Sequence, residues 1–108
     1  MNYKISSIPL FDKQVKRLAK KYPSLKKDLA KLIDSLATEP AQGTALGNNF
    51  YKVRLAIASK GKGKSGGARV ITYVKVINTT VFLTSIYDKS DQDTISDKEL
   101  SAILKLIP

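Results

Sequence analysis

The spacing of apolar residues changes once along this chain, and that change most restricts the fold it can adopt. Up to residue 40, apolar residues recur every three or four positions, which is typical of amphipathic helices. They form two stripes: Phe11, Val15, Leu18 and Tyr22, then Leu25, Leu29, Leu32, Ile33 and Leu36. From Tyr51 the pattern changes: two sets of residues alternate as far as Ala58, which is typical of a half-buried strand, and residues 68–77 are rich in Val, Ile and Tyr, which favour strands. The chain is therefore predicted to form helices first and most of a sheet afterwards.

Prolines and small polar residues indicate where the two helices begin and end. Pro9 fits a first helical turn, and Pro23 ends the first helix near Tyr22. Ser24 is a candidate cap of the second helix, which ends before Pro40. Because the turn between them is so short, the two helices are predicted to form an αα-hairpin.

The remaining segments predict a small α+β domain over residues 1–108, with an antiparallel-rich sheet. A short strand opens the chain near Tyr3 and Ile5, and a last short helix begins with a capping box at Ser96 and Glu99. Between them, the predicted segments are a loop over 41–49, a strand from Tyr51, a basic loop over 59–67, a strand over 68–77, a turn at Asn78-Thr79 and a strand over 80–87. The helical hairpin is predicted to cover one face of the sheet and to leave the other face open.

Composition restricts the chemistry. The 108 residues carry a net charge of +10, which favours a polyanionic partner. The chain has no cysteine and no histidine, which excludes disulfides, thiolate zinc sites and histidine acid–base catalysis. The acidic residues before Asp88 all lie on or beside the predicted helices, so we expect no metal site and no cofactor. No apolar run approaches the roughly 20 residues that span a bilayer, and the N-terminus lacks an apolar signal core, so we expect a cytoplasmic protein without membrane contact.

The basic loop is the most distinctive motif, Lys60-Gly-Lys-Gly-Lys-Ser-Gly-Gly-Ala-Arg69-Val-Ile-Thr-Tyr73. It places Lys60, Lys62 and Lys64 on a glycine-rich tether and then delivers Arg69 and Tyr73 on a strand. An arginine can bind a phosphate with two parallel hydrogen bonds, and a tyrosine can stack on a base. The alternative for Tyr73 is simple packing.

Other candidates lie on the neighbouring strands. Lys52 and Arg54 are two residues apart, so their side chains leave the same face roughly 7 Å from each other. Tyr87 and Lys89 close the last strand and can reach that face, with Asp88 between them as a neutralising charge for Lys89. The alternative for the pair Lys52 and Arg54 is an ordinary solvated sheet face.

These features together resemble one family. They are the order of elements, the run from Lys64 to Tyr73, the run Phe82-Leu-Thr-Ser-Ile-Tyr87-Asp-Lys89 and the basic hairpin around Lys16-Arg17 and Lys20-Lys21-Tyr22-Pro23. They are similar to those of the RelE/HigB toxins of bacterial type II toxin–antitoxin systems, which belong to the RelE/ParE superfamily.

The resemblance implies a metal-independent endoribonuclease that enters the ribosomal A site, contacts ribosomal RNA and cuts mRNA by attack of the 2′-OH on the adjacent phosphate. It also implies a cognate antitoxin. Carried over by position, Arg69, Lys52, Arg54 and Tyr87 would be catalytic, and Lys60, Lys62, Lys64, Tyr73 and Lys89 would bind RNA. In the absence of histidine, proton transfer would fall to lysine or tyrosine.

Two other functions remain open on the sequence. A ParE-like toxin shares the fold and inhibits DNA gyrase instead of cutting RNA. A non-catalytic nucleic-acid-binding module would bind with a steep salt dependence and do neither.

Overall fold

Two helices pack on one face of a five-stranded sheet in the computed structural model, which describes residues 2–108. The helices are α1 (Pro9–Lys21) and α2 (Leu25–Thr38), followed by a single turn, α3 (Gly63–Gly66), and by α4 (Asp97–Leu104). The strands are β1 (Lys4–Ser7), β2 (Thr44–Gly47), β3 (Phe50–Leu55), β4 (Ala68–Lys75) and β5 (Thr80–Asp88). The predicted α+β class and helical hairpin are confirmed.

The sheet has the order β1-β5-β4-β3-β2. The pairs β2–β3, β3–β4 and β4–β5 are antiparallel, and β1 is parallel to β5. The predicted antiparallel succession of the last three strands is therefore confirmed, and the parallel edge strand completes the sheet.

The hairpin of β2 and β3 was not predicted, because residues 41–49 read as a loop. Asn48 and Asn49 connect the two strands with φ angles of 52° and 69°. Asparagine tolerates this left-handed region, and two such residues in succession suit the turn of a tight hairpin. The asparagine pair was the available signal for the additional strand.

The β4–β5 connection is longer than the predicted two-residue turn. β4 ends at Lys75, and the N–H of Thr79 donates to the carbonyl of Val76. Val76 and Ile77 are 61% and 92% exposed, so their β-branched side chains lie in a turn instead of the predicted strand.

The main core lies between the helical hairpin and the sheet. Phe11 and Tyr22 of the first predicted stripe are buried there, as are Leu25, Leu29, Leu32 and Leu36 of the second. Pro9 lies in the first turn of α1 as predicted. Ser24 precedes α2 but forms no capping bond; its hydroxyl donates instead to Asp28 at 2.8 Å.

The second face of the sheet is only partly open, which corrects the prediction of an uncovered face. Leu100 and Ile103 of α4 form a second core with the sheet residues Phe50, Ile71 and Tyr87. The predicted capping box starts α4, with the N–H of Glu99 donating to Ser96 Oγ at 3.1 Å. No helix within residues 2–108 is long and apolar enough to cross a membrane.

Candidate nucleic-acid interface

Three predicted site residues lie in one row across the sheet. The strand register places Arg54 of β3 opposite Arg69 of β4, and Arg69 opposite Tyr87 of β5. Adjacent strands are about 4.8 Å apart, so the row is roughly 10 Å long. The sequence located these residues on the right strands, and the pairing brings them onto the α4 side of the sheet.

The two arginines of this row are not neutralised by carboxylates in direct contact. Like charges directly opposite each other destabilise a sheet. Within residues 2–108, neither Arg54 nor Arg69 forms an ion pair, and Arg54 is exposed. The row is therefore a place where a bound anion would relieve repulsion.

Arg69 holds the basic loop. Its guanidinium is buried, with 4% of the residue exposed, and Nη1 donates to the carbonyls of Lys64 at 2.9 Å and Ala68 at 3.1 Å. Nη2 donates to the carbonyl of Ser65 at 3.1 Å. A guanidinium has five N–H donors, so two have no partner within residues 2–108. Arg69 thus fixes the loop and keeps limited capacity for a phosphate.

Tyr87 presents a buried hydroxyl without a hydrogen-bond partner in the described part of the chain. Its ring packs against α4 in the second core. Burial raises the pKa of the phenol, and the nearby positive charge of Arg69 opposes that effect. The group therefore stays protonated at neutral pH and is available as a donor.

Lys52 lies on the same face, one row from Arg54, and is half-buried. The Asp93 carboxylate lies close enough to Lys52 and Arg69 to interact with their charges. The Lys89 ammonium, which donates a hydrogen bond to Asp93, together with the charges of Lys52 and Arg69, lowers the pKa of that carboxyl below its ordinary value. An acidic side chain from the segment before α4 therefore already lies in the positive field of this face.

The basic loop has more regular structure than the predicted glycine-rich tether. A single 3₁₀ turn, Ala58–Lys60, and then α3 occupy most of it. Lys62 and Lys64 are exposed. Gly67 is the last residue of the loop. A Cβ at this position would lie 2.0 Å from the carbonyl oxygen of Leu55, so only glycine fits without a shift of the backbone.

Lys60 departs from its predicted RNA-binding role. Its ammonium donates to Asp88 Oδ1 at 2.6 Å and to Ser90 Oγ at 2.8 Å, and its side chain is only 10% exposed. Asp88 pairs in register with Ala68 and therefore faces the helices, away from Arg69 and Tyr87. Lys60 is committed to an internal ion pair.

Asp88 was predicted to neutralise Lys89, and this prediction was wrong: Asp88 pairs with Lys60, whereas Lys89 pairs with Asp93. The Asp88 carboxylate is buried and also accepts the Tyr22 hydroxyl at 2.5 Å and the N–H of Ser90 at 2.9 Å. The bonds from Lys60, Tyr22 and Ser90 outweigh the opposing effect of burial and hold the pKa of Asp88 well below its ordinary value. Tyr22 lies 66 positions away in sequence, so no local pattern could have revealed this network.

Tyr73 does not join the row. It lies four residues along β4 from Arg69, or about 13 Å. Its ring packs on Phe50 with centroids 5.1 Å apart in an edge-to-face arrangement. The alternative given for Tyr73, simple packing, therefore accounts for its position.

Arg54 and Lys64 also line a common groove at the edge of the sheet. β2 pairs with β3 only as far as Lys52, so within residues 2–108 Arg54 has no strand neighbour on that side. Its side chain and that of Lys64 line a groove of about 400 Å³ against α2. We call this the edge groove; it is lined by Asp28, Lys31, Leu32, Ser35, Gln42, Arg54, Leu55, Ala56, Ala58 and Lys64.

Three solved structures of bacterial toxins or toxin complexes share this fold. The free E. coli toxin RelE, with two arginines changed to alanine, matches with a TM-score of 0.64 at 18% identity, covering 100% of both chains. A chain of the E. coli RelBE toxin–antitoxin complex matches with a TM-score of 0.50 at 21% identity, over 80% of this chain and 95% of the other. A metal-bound toxin from Helicobacter pylori matches with a TM-score of 0.52 at 24% identity, over 84% and 98%.

No curated protein sequence matches the chain. The family model described as the RelE toxin of the RelE/RelB toxin–antitoxin system matches residues 10–107. That range runs from the start of α1 to the end of the chain and contains the whole arginine–tyrosine row. The chain therefore belongs to the RelE toxin family.

Proposed function

We propose that this toxin is a ribosome-dependent mRNA endonuclease. The observation that supports it most is the row of Arg54, Arg69 and Tyr87, which combines two like charges and a buried hydroxyl that have, respectively, no carboxylate and no hydrogen-bond partner among residues 2–108. A phosphodiester bound at this row would satisfy all three groups at once.

The proposed reaction is an internal transesterification of the RNA. The 2′-oxygen gives its proton to solvent water and forms a bond to the adjacent phosphorus, the bond from phosphorus to the 5′-oxygen of the next nucleotide breaks, and solvent later returns a proton to the group that protonated the leaving oxygen. That oxygen takes up a proton and leaves as a 5′-hydroxyl, while the other product ends in a 2′,3′-cyclic phosphate. Negative charge accumulates on the phosphoryl oxygens during the step.

The residues of the face have separate roles in this scheme. Arg54 and the two remaining N–H donors of Arg69 stabilise the phosphoryl oxygens as their charge grows. Tyr87 donates its proton toward the departing oxygen, since its raised pKa keeps it protonated. Lys52 binds a neighbouring phosphate. Positioning and charge stabilisation supply most of the rate gain.

The partners follow from the same proposal. The message in the ribosomal A site and the surrounding ribosomal RNA are polyanions that suit a chain of net charge +10. The E. coli relative was solved in a RelBE toxin–antitoxin complex. We extend that to this chain as a cognate antitoxin that holds the toxin inactive.

The test uses purified ribosomes carrying a defined message, with primer extension to map the cut. Wild-type toxin should cut in the A-site codon, and Arg54→Gln should cut at least about 100-fold more slowly, which corresponds to losing one transition-state donor. Arg17→Gln is the matched control, because it removes an exposed arginine of α1 outside the row and should cut like wild type.

Two results would contradict the proposal. One is uncut message with wild-type toxin, and gyrase inhibition in a supercoiling assay would then favour the ParE-like function. The other is an equal cutting rate for Arg54→Gln and Arg17→Gln.

A further inference from the structure

The edge groove gathers three cations that no local sequence pattern brings together. Arg54 comes from the sheet, Lys64 from α3 and Lys31 from α2, and all three line the same groove. Among residues 2–108, none of the three forms an ion pair. Three positive charges around one concavity repel each other and raise the local concentration of anions.

The other polar groups of the groove already have partners. Asp28 accepts hydrogen bonds from Ser24 Oγ at 2.8 Å and from the N–H of Ala58 at 3.1 Å. Ser35 Oγ donates to the carbonyl of Leu32 and accepts from Gln42 Nε2. The Asp28 carboxylate reduces the positive potential of the groove, but its two hydrogen bonds direct it toward the loop and the start of α2.

The groove has an apolar wall beside its cations. Leu32, Leu55 and Ala56 line it, and both leucines are mostly buried. A volume of about 400 Å³ is in the range of small-molecule sites. Cations with an apolar wall suit a nucleotide, whose phosphate needs the charge while its ribose and base accept apolar contact.

Arg54 connects this groove to the catalytic row, because it belongs to both. We propose that the RNA strand crosses the edge of β3 at Arg54 and continues in the edge groove, where Lys31 and Lys64 bind the next phosphate. This inference rests on the proposed function and adds a second binding region, in which Lys31 is a phosphate ligand.

The test measures binding of a single-stranded 2′-O-methyl RNA of about 12 nucleotides, which cannot be cut because the attacking hydroxyl is blocked. Lys31→Met should weaken binding about three- to ten-fold at low salt. It should also reduce the slope of log Kd against log salt by about 0.7, as expected for one lost phosphate contact on a single strand. Lys26→Met is the matched control, because Lys26 is an exposed lysine of α2 that does not line the edge groove.

Each outcome decides the inference. Weaker binding and a lower slope for Lys31→Met, with Lys26→Met near wild type, support it. Equal effects of the two variants overturn it and leave the catalytic row unaffected. Absence of binding by the wild-type chain at low salt also overturns it, whereas the proposed function would still be decided by cutting of ribosome-bound message.

Discussion

Replacing Asp88 with asparagine tests the buried network that ties the basic loop to the helical hairpin. Asp88→Asn keeps the shape and an acceptor for Tyr22 but removes the charge that binds Lys60. Loss of one partner from a buried ion pair typically costs about 3–5 kcal/mol. Here Lys60 keeps its bond to Ser90 and is 10% exposed, so it can regain some water. We therefore expect a loss of about 2–3 kcal/mol in the free energy of unfolding.

The assay is urea unfolding of wild type, Asp88→Asn, Lys60→Met and the double variant at neutral pH. Lys60→Met should cost less, about 1–2 kcal/mol, because Asp88 keeps its bonds from Tyr22 and Ser90. The double variant should be more stable than the sum of the two losses implies, because the unpaired Lys60 charge left by Asp88→Asn is no longer present.

The contribution of Asp88 to the free energy of unfolding should depend on pH in a definite direction. The pKa of Asp88 is lower in the folded chain than its ordinary value of 3.8, so folding favours the ionised form. The stability it adds is complete above about pH 4 and is lost as the pH falls toward the folded pKa. The difference between wild type and Asp88→Asn should therefore shrink below about pH 4. A difference under about 0.5 kcal/mol at neutral pH, or one that does not change with acidification, would refute the reasoning.

Three further predictions concern the sheet, the cap and the loop. Tyr87→Phe removes a hydroxyl without a partner, so thermal unfolding should show equal or slightly higher stability while ribosome-dependent cutting falls at least about ten-fold; unchanged cutting would exclude Tyr87 as the proton donor. Ser96→Ala removes the cap of α4 and should cost about 1 kcal/mol in urea unfolding, whereas a loss under about 0.3 kcal/mol would show that the capping box adds little. Gly67→Ala should cost more than about 3 kcal/mol because its Cβ meets the Leu55 carbonyl, whereas Gly61→Ala has open space and should cost about 1 kcal/mol for its positive φ; equal losses would contradict the steric argument.

Elements with strong periodicity could be predicted from the sequence, and pairings between distant elements could not. The stripes of α1 and α2, Pro9, and the capping box at Ser96 are local signals, and each was confirmed. β2 was missed because it is short and mostly exposed, so its side chains carry no clear alternation. Its position depends on pairing with β3, which local spacing does not encode.

The same distinction applies to the candidate site. Lys52 and Arg54 could be placed on a strand because alternation assigns their face, and Arg69 and Tyr87 could be placed on strands because β-branched and aromatic residues surround them. The burial of Lys60 in an ion pair could not be predicted, because it depends on Asp88 and Tyr22, which come into contact only in the folded chain. The position of α4 on the sheet could not be predicted either. It depends on the packing of Leu100 and Ile103, and their helical spacing does not say which surface they cover.

Arg69 holds the loop by hydrogen bonds to the main-chain carbonyls of Lys64 and Ser65, not to their side chains. Every amino acid carries such a carbonyl, so this anchor is indifferent to which side chains the loop displays. Substitutions at positions 64 and 65 should therefore change the side chains that the loop displays while the loop keeps its shape. The architecture separates the support of the loop from its side-chain chemistry.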